Sequence, residues 1–200
     1  KTKLPIILSS GMSTLDEITK SLNAIGALDH YPTILLVTTS EYPTPDQNVN
    51  LLKFETLAKK FPNIPLGFSD HTQGILASSL AYSMGACVFE KHFTLNHNLS
   101  GPDHWFSADP NELMEWVKSI KTSYIMMGSG EVKPTKSEEI LKITARRSVF
   151  AISEIKEGDE FSEKNIGLRR PGNGLPPEYF EVILGKKSTK HFRKGELIQL

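Results

Sequence analysis

The first 130 residues alternate short apolar runs with longer amphipathic segments, and this alternation constrains the fold more than any other feature. The apolar runs predict four strands, at Pro5–Leu8, Thr33–Val37, Pro65–Phe68 and Cys87–Phe89. Each run is followed by an amphipathic segment that predicts a helix, at a spacing of roughly 25–30 residues. Strands connected through helices pair in parallel, with right-handed crossovers. The pattern therefore predicts an α/β fold, either a doubly wound sheet or half of an eight-stranded (β/α)8 barrel.

The pattern changes after residue 130. Residues 131–146 are rich in charge and contain a proline, which predicts a linker. Residues 147–200 contain short apolar pieces, including Ser148–Ile152 and Ile166–Leu168, with Gly-containing turns between them. They predict a small β-rich module that is marginal in size for independent stability. The predicted organisation is a first domain at residues 1–130, a linker, and a second domain at residues 147–200.

Composition argues against several classes of partner. The 23 basic and 23 acidic residues balance, so no net charge favours nucleic acid or an anionic membrane. No apolar stretch approaches the ~20 residues of a membrane span. The single cysteine can form no internal disulfide, which fits a cytoplasmic location. The start shows no signal peptide and no initiator Met, so we expect the chain to be part of a longer protein.

Two histidines follow successive predicted strands. His71 and His92 are 92 − 71 = 21 residues apart, each just beyond a strand. Neighbouring parallel strands lie about 4.8 Å apart, so two imidazoles at equivalent positions can share one metal ion. Two imidazoles without a thiolate suit Mn²⁺, Zn²⁺, Fe²⁺ or Co²⁺ better than Ca²⁺, and they leave coordination positions for water and substrate. The alternative is that each histidine only forms hydrogen bonds at the rim of the sheet.

Three further segments carry candidate functional residues. Asp103, in the turn 100–104, could orient a ligand histidine or a metal-bound water, or could simply form the turn after Gly-Pro. The segment 42–45 (Tyr-Pro-Thr-Pro) is a rigid loop whose simplest interpretation is an ordinary connection. In the turn 169–174, proline and two glycines hold Arg170 as a preorganised donor to oxygen-rich ligands, or merely as an exposed basic side chain.

Six motifs in this order resemble the sialic acid synthase family. They are Ile-Leu-Ser-Ser-Gly-Met (7–12), Tyr-Pro-Thr-Pro (42–45), Ser-Asp-His-Thr (69–72), Glu-Lys-His-Phe-Thr (90–94), Gly-Pro-Asp-His (101–104) and Arg-Pro-Gly-Asn-Gly (170–174). The match covers essentially the whole chain. The resemblance implies the C-terminal half of a TIM (β/α)8 barrel, with its last four β/α units, followed by an antifreeze-like SAF domain.

The resemblance also implies a reaction. Members of the family condense phosphoenolpyruvate with N-acetylmannosamine or a related acetamido sugar, giving a nine-carbon 3-deoxy-2-keto acid and phosphate. C3 of phosphoenolpyruvate attacks the aldehyde of the open-chain sugar, water adds at C2, and phosphate leaves by C–O cleavage. A divalent metal, commonly Mn²⁺ or Mg²⁺, acts as Lewis acid and template. The resemblance further implies a domain-swapped homodimer in the full-length protein.

The resemblance assigns roles position by position. The metal ligands, also catalytic, fall on His71 and His92. Asp103 is not among the positions carried over, but from its place in the turn we expect it to assist catalysis beside the two histidines. The remaining positions are expected to bind substrate. Ser9 and Ser69 are expected to bind phosphoenolpyruvate, and so is Ser40, at a position where members carry Asn or Ser. Tyr42 is expected to contact the sugar, and Arg170 is expected to contact the N-acyl end of the sugar. The general base and a lysine facing phosphoenolpyruvate are expected in the first half of the barrel. We therefore expect the 200 residues alone to be inactive.

Two other functions stay open from the sequence. One is a non-enzymatic carbohydrate-binding module, for which residues 147–200 would bind ligand alone and the histidines would be dispensable. The other is a metal-dependent barrel aldolase that does not use phosphoenolpyruvate and forms product without releasing phosphate. Within the synthase interpretation, the sequence does not choose among sialic, legionaminic and pseudaminic acids.

Overall fold

The computed structural model describes residues 3–199, and the chain divides after Gly130 into two compact units. The first unit is a parallel sheet with its connecting helices. Its strands are β1 (Ile6–Ser9), β2 (Thr33–Val37), β3 (Leu66–Asp70) and β4 (Val88–Lys91). Its helices are α1 (Leu15–Ala24), α2 (Asp46–Val49), α3 (Lys53–Lys60), α4 (Leu76–Ser83) and α5 (Pro110–Met127), with a 3₁₀ turn at Ala27–Asp29.

The strand order decides between the two α/β architectures that the sequence allows. The four strands pair in parallel in the order β1-β2-β3-β4, without the reversal that defines a doubly wound sheet. A sequential parallel order is that of a barrel wall. The predicted half barrel is therefore confirmed, and the carboxyl ends of all four strands meet at one edge.

Two strands extend further than the sequence pattern predicts. The apolar runs end at Phe68 and Phe89, but β3 continues to Asp70 and β4 to Lys91. Polar residues can end these strands because their side chains find partners within the fold, and Asp70 is only 1% exposed. Gly67 allows the close approach of the two strands, since a β-carbon there would lie 2.7 Å from the Val88 carbonyl oxygen.

The core of the first unit lies between the sheet and one face of each helix. Helix α1 contributes Ile18 and Leu22, and α3 contributes Phe54 and Leu57. These side chains join apolar strand residues in one buried cluster, which includes Leu35, Val37, Leu66 and Phe68. Helix α5 begins with Asp109 as its N-cap and Glu112 completing a capping box.

The second unit contains a small antiparallel sheet. Its elements are α6 (Lys136–Ala145), β5 (Ser148–Ala151), β6 (Ile166–Arg169) and α7 (Phe180–Ile183). Strands β5 and β6 pair antiparallel over a buried apolar cluster, whose members include Val149, Ile155, Phe161, Ile166, Ile183, Phe192 and Ile198. Through residues 3–199, no helix has both the length and the apolar character to cross a membrane.

The segment predicted as a linker contains helix α6. Thr135 and Glu138 form a capping box that starts a helix directly after Pro134. Leu, Lys, Glu and Ala then favour helix continuation. The assignment of residues 131–146 as a linker stays a prediction, and α6 is an element within it that the charge pattern does not predict.

Candidate active site

His71 and His92 lie side by side at the carboxyl edge of the sheet. They directly follow Asp70 and Lys91, which are paired residues at the ends of β3 and β4. The two imidazole ring centres are 5.2 Å apart, with the ring planes at 80°. Both histidines are half-buried. The structure thus brings together the pair that the sequence predicts as metal ligands.

Hydrogen bonding fixes the tautomer of His71. Its Nδ1 lies 2.7 Å from the carbonyl oxygen of Thr39. A carbonyl oxygen can only accept, so Nδ1 carries a proton, and in the neutral form of the ring this leaves the Nε2 lone pair for a ligand. This is the arrangement that commonly orients a metal-binding histidine.

The surroundings of His92 favour its neutral form. Burial lowers the pKa of His92 below its ordinary value, and the neighbouring His71 lowers it further. Asp103 and Glu90 oppose this effect, but the net pKa shift is downward. An imidazole must be neutral to bind a metal, so this environment suits a ligand histidine.

The pair fits a divalent cation. With metal–nitrogen bonds of about 2.1 Å, two imidazoles in adjacent coordination positions have ring centres roughly 5 Å apart. The observed 5.2 Å agrees with this spacing. Two protein ligands leave the other positions to water or substrate, as in catalytic rather than structural metal sites.

Within residues 3–199, the one cluster of three or more converging His, Cys, Asp or Glu side chains lies elsewhere, at His97, Asp109 and Glu112. His97 Nε2 is 3.3 Å from Glu112 Oε2 and 3.8 Å from Asp109 Oδ2. Both carboxylates already accept backbone N–H groups as the capping box of α5. We therefore interpret this cluster as part of a helix N-terminus.

Four side chains at and just beyond the ends of β3 and β4 belong to the same face of the sheet. Side chains two residues apart in a strand share a face, which groups Ser69 with His71 and Glu90 with His92. Ser69 Oγ donates to Glu90 Oε1 at 2.6 Å and lies 3.5 Å from His71 Nε2. The sequence prediction includes Ser69 but misses Glu90. The two-residue spacing from His92 could have identified it, had β4 been extended beyond Phe89.

Aromatic side chains border the histidine pair. The Tyr42 ring centre lies 4.3 Å from that of His71 and 5.5 Å from that of His92. Phe106, which is buried, lies 5.1 Å from the His92 ring. The backbone N–H of Thr44 donates to the His71 carbonyl oxygen, which ties the Tyr42 loop to the end of β3. Tyr42 is 49% exposed and therefore accessible to a ligand at this edge.

Asp103 lies near the pair without a direct hydrogen bond to it. Its Oδ2 is 3.8 Å from His92 Nδ1, beyond hydrogen-bond distance. The carboxylate is mostly exposed and acts on His92 through its charge. Its backbone is held in place, since the Asp103 carbonyl oxygen accepts from the Ser107 hydroxyl at 2.6 Å.

Ser9 and Ser40 lie at the same edge, on its β1–β2 side. Ser9 ends β1, and with β2 in between it is about 10 Å from β3. Its side chain is exposed, whereas Ser10 is buried and its Oγ accepts from the Thr38 N–H. Ser40 is half-buried, with its Oγ 3.6 Å from where a β-carbon of Gly11 would lie. These two hydroxyls thus adjoin the β1–β2 side of the edge.

Arg170 belongs to the second unit, where its position depends on α6. Its Nε donates to the Ala145 carbonyl oxygen at 2.7 Å, at the C-terminal end of that helix. The Gly172 N–H donates to the Ile143 carbonyl oxygen at 2.7 Å. A β-carbon at Gly172 would lie 2.5 Å from the Arg146 β-carbon, so the turn packs closely on the helix. The guanidinium is therefore anchored on one side and exposed to solvent.

Comparison with known proteins gives matches over both units. Residues 1–132 match the NeuB family, and residues 146–200 match the SAF domain. The chain is 43% identical to an N,N'-diacetyllegionaminic acid synthase of Campylobacter jejuni, covering 100% of this chain and 60% of that protein. It is 33% identical to the human N-acetylneuraminate-9-phosphate synthase, covering 92% of this chain and 51% of that protein.

A solved structure shares the fold. The crystal structure of a spore coat polysaccharide biosynthesis protein from Bacillus subtilis is 30% identical, with a TM-score of 0.61, and the match covers 98% of this chain and 60% of that one. The chain thus spans between about half and three-fifths of the length of these relatives. The ordered motifs, the half barrel and the two family matches agree, and the chain belongs to the NeuB family of sialic acid synthases and carries a SAF domain.

Proposed function

We propose that the full-length protein condenses phosphoenolpyruvate with an N-acetylated amino sugar to give a nonulosonic acid and phosphate. The observation that carries this proposal is the His71–His92 pair at the carboxyl edge of a NeuB-family half barrel. Relatives of this chain are named as legionaminic, pseudaminic and N-acetylneuraminate-9-phosphate synthases. A shared fold alone would not support a reaction, so the proposal rests on these named relatives together with the site.

In this proposal, His71 and His92 hold Mn²⁺ or Mg²⁺ through neutral ring nitrogens. When bound, the ion supplies Lewis-acid chemistry to a substrate oxygen. Ser69 presents its hydroxyl oxygen to phosphoenolpyruvate, with its proton directed to Glu90. Ser9 and Ser40 contribute hydroxyls on the β1–β2 side, and Tyr42 covers the pair on the side where the sugar would lie.

The proposed reaction forms one C–C bond and one C–O bond, from water, and breaks one C–O bond, to phosphate. C3 of phosphoenolpyruvate bonds to the aldehyde carbon of the open-chain sugar, and the aldehyde oxygen takes up the proton that water releases when its oxygen bonds to C2. The bond from C2 to the phosphate oxygen then breaks with its electron pair leaving on phosphate, and the new C2 hydroxyl passes its proton to phosphate as the keto group forms. Asp103 lies where it can orient a proton-bearing group beside His92. We place the general base and the lysine facing phosphoenolpyruvate in the additional length of the relatives.

The relatives also favour one class of sugar. Two N,N'-diacetyllegionaminic acid synthases are 43% and 40% identical to this chain, whereas three pseudaminic acid synthases are 36%, 34% and 34% identical. We therefore propose a diacetamido hexose as the first substrate to test, followed by N-acetylmannosamine. We further propose a cytoplasmic enzyme that functions as a domain-swapped homodimer, in which Arg170 contacts the N-acyl end of the sugar.

The test is phosphate release by the full-length protein with phosphoenolpyruvate, Mn²⁺ and each sugar in turn. Release should require sugar and metal, and it should disappear with a chelator and in His71→Ala. His30→Asn is the matched control, because His30 is an exposed histidine with φ of 67°, a conformation that Asn tolerates.

The other outcomes point to different functions. Product without phosphate would indicate an aldolase that does not use phosphoenolpyruvate. Sugar binding that is unaffected in His71→Ala, with no reaction for any sugar, would indicate a carbohydrate-binding module. Full activity in His71→Ala would contradict the proposed metal site.

A further inference from the structure

A buried carboxylate lies directly before the first metal-ligand histidine. Asp70 is 1% exposed, and its two oxygens have five partners. These partners are the Thr72 N–H at 2.8 Å, Thr72 Oγ1 at 2.7 Å, Ser78 Oγ at 2.6 Å, Trp116 Nε1 at 3.1 Å and Lys91 Nζ at 3.2 Å. Such complete hydrogen bonding makes the Asp70 carboxylate a fixed point in the fold.

A buried lysine lies directly before the second histidine. The Lys91 side chain is 6% exposed, and its Nζ contacts Asp70 Oδ2 at 3.2 Å and donates to the Thr72 carbonyl oxygen at 2.7 Å. The same ammonium lies 5.9 Å from the centre of the Trp116 ring. The charge is thus compensated by a carboxylate, a carbonyl and an aromatic face.

The two charged residues form a connection immediately behind the histidine pair. Asp70 and Lys91 are paired residues in the β3–β4 ladder, and each is the last residue of its strand. Side chains alternate along a strand, so this pair faces the helices, whereas His71 and His92 belong to the opposite face. Ser78 of α4 and Trp116 of α5 complete the network on the helix side.

The stability of the fold does not by itself require an ion pair here. A buried ion pair is often no more stabilising than apolar side chains of similar volume, because both charges lose their hydration. The Asp70–Lys91 pair does fix the distance between the ends of β3 and β4. Metal centres tolerate displacements of only about 0.5 Å in their ligands.

We propose that Asp70 and Lys91 are positioning residues that set the spacing and orientation of His71 and His92 for the divalent cation. This inference rests on the proposed function, in which the two histidines bind that cation. Asp70 and Lys91 touch neither metal nor substrate. They act through the backbone of the next residue, and Trp116 supports them.

The test measures Mn²⁺ affinity rather than activity alone. In the full-length protein, Lys91→Met and Asp70→Asn should weaken Mn²⁺ binding at least about tenfold, the scale seen for residues that support metal ligands. The dissociation constant is measured from the electron paramagnetic resonance signal of free Mn²⁺. Nitrogen couplings on bound Mn²⁺ report whether both histidines still coordinate, and they should decrease in these variants.

A matched control separates positioning from general destabilisation. Leu22→Ala removes a fully buried side chain of α1 that has no part in this network, and it lowers the melting temperature by creating a cavity. The folded Leu22→Ala protein should bind Mn²⁺ like the wild type.

Trp116→Phe keeps both charges and removes one donor to Asp70, so it tests the proposal even if Lys91→Met does not fold. We expect it to weaken Mn²⁺ binding about threefold, the loss of a modest hydrogen bond.

The possible failures can be distinguished. If wild type and His71→Ala bind Mn²⁺ equally, the proposed metal site itself is wrong. If binding depends on His71 but the folded Lys91→Met, Asp70→Asn and Trp116→Phe proteins keep the wild-type dissociation constant, only the positioning role is overturned. In that case the network would serve the stability of the fold alone.

Discussion

At the scale of single residues, the candidate site depends on which atoms are already bonded and which remain free. Thr39 accepts the Nδ1 proton of His71, and Lys53 in turn anchors that loop through the Thr38 carbonyl oxygen at 3.1 Å and Thr39 Oγ1 at 3.0 Å. Burial lowers the pKa of Lys53, which is consistent with an ammonium drawn toward the protein interior. His71 therefore receives its orientation from a backbone oxygen that is itself held in place.

Tyr42 allows the ring and the hydroxyl to be tested separately. Tyr42→Phe keeps the ring against His71, so Mn²⁺ affinity should be unchanged. It removes a hydroxyl expected near the sugar, and losing one hydrogen bond of about 1 kcal/mol should raise the sugar KM roughly fivefold. Tyr42→Ala should also weaken Mn²⁺ binding, because the His71 ring loses its neighbour.

Steady-state kinetics and Mn²⁺ titration of the full-length protein provide the comparison. A Tyr42→Phe protein with unchanged sugar KM would contradict the hydroxyl contact with the sugar. Tyr124→Phe serves as control, because Tyr124 is an exposed residue of α5 that contacts Tyr82 rather than the histidines.

At the scale of elements, two capping boxes give a prediction about pH. Hydrogen bonds from the Thr135 backbone and side chain lower the pKa of Glu138 at the start of α6, and Thr14 lowers the pKa of Glu17 in α1 in the same way. A carboxyl whose folded pKa is lowered stabilises the helix above its unfolded pKa. This contribution is lost as the pH falls through the folded pKa. Both helix starts should therefore weaken on acidification.

Thr135→Ala tests this origin of the shift. The variant loses the hydrogen bond from the Thr135 hydroxyl to the Glu138 carboxylate but keeps the one from the Thr135 backbone N–H, so the pKa of Glu138 should rise part of the way to its ordinary value. Carboxyl titration by NMR measures both glutamates in one sample. The Glu17 titration should not change, and an unchanged Glu138 would show that Thr135 Oγ1 contributes nothing to the shift.

The sequence predicts the elements well where local signals decide them. The apolar runs locate β1 to β4, and Asp-Pro-Asn-Glu locates the start of α5. The ends of β3 and β4 could not be predicted from periodicity, because Asp70 and Lys91 are polar and their burial depends on partners in distant helices. Helix α6 does have a local signal, the capping box formed by Thr135 and Glu138. The charge of the surrounding residues nevertheless favours the prediction of a linker.

In the candidate site too, local sequence signals predict some features, whereas others depend on contacts that only the fold creates. Strand position alone brings His71 and His92 together, so the sequence suffices for that pair. The roles of Thr39, Lys53 and Trp116 depend on contacts between residues more than 13 positions apart, which no local pattern encodes. Asp103 lies beside His92 but at a distance that only the structure can give.

At the scale of the whole molecule, the chain combines a half barrel with a SAF domain, and the residues proposed to act on the substrates are divided between the two. The His71–His92 pair and Ser69 belong to the first unit, and Arg170 belongs to the second. Because the chain spans only 51–60% of the relatives' length, the enzyme's turnover is a property to be tested in the full-length protein. The contribution of the second unit can be isolated within that test.

Arg170→Ala should separate sugar recognition from chemistry. If the guanidinium binds the N-acyl end of the sugar, it contributes equally to the ground state and the transition state, so the sugar KM should rise while kcat changes little. Loss of a charge-assisted hydrogen bond of about 1.5–3 kcal/mol predicts a rise of roughly 10–150-fold. The KM for phosphoenolpyruvate and the Mn²⁺ dissociation constant should not change, because the residues proposed to bind those ligands belong to the first unit. Arg193→Ala, in an exposed turn of the same unit, is the charge-matched control and should behave as wild type. A lower kcat at unchanged sugar KM in Arg170→Ala would contradict this prediction. It would mean that the second unit stabilises the transition state. The SAF domain would then take part in catalysis and not only in sugar binding.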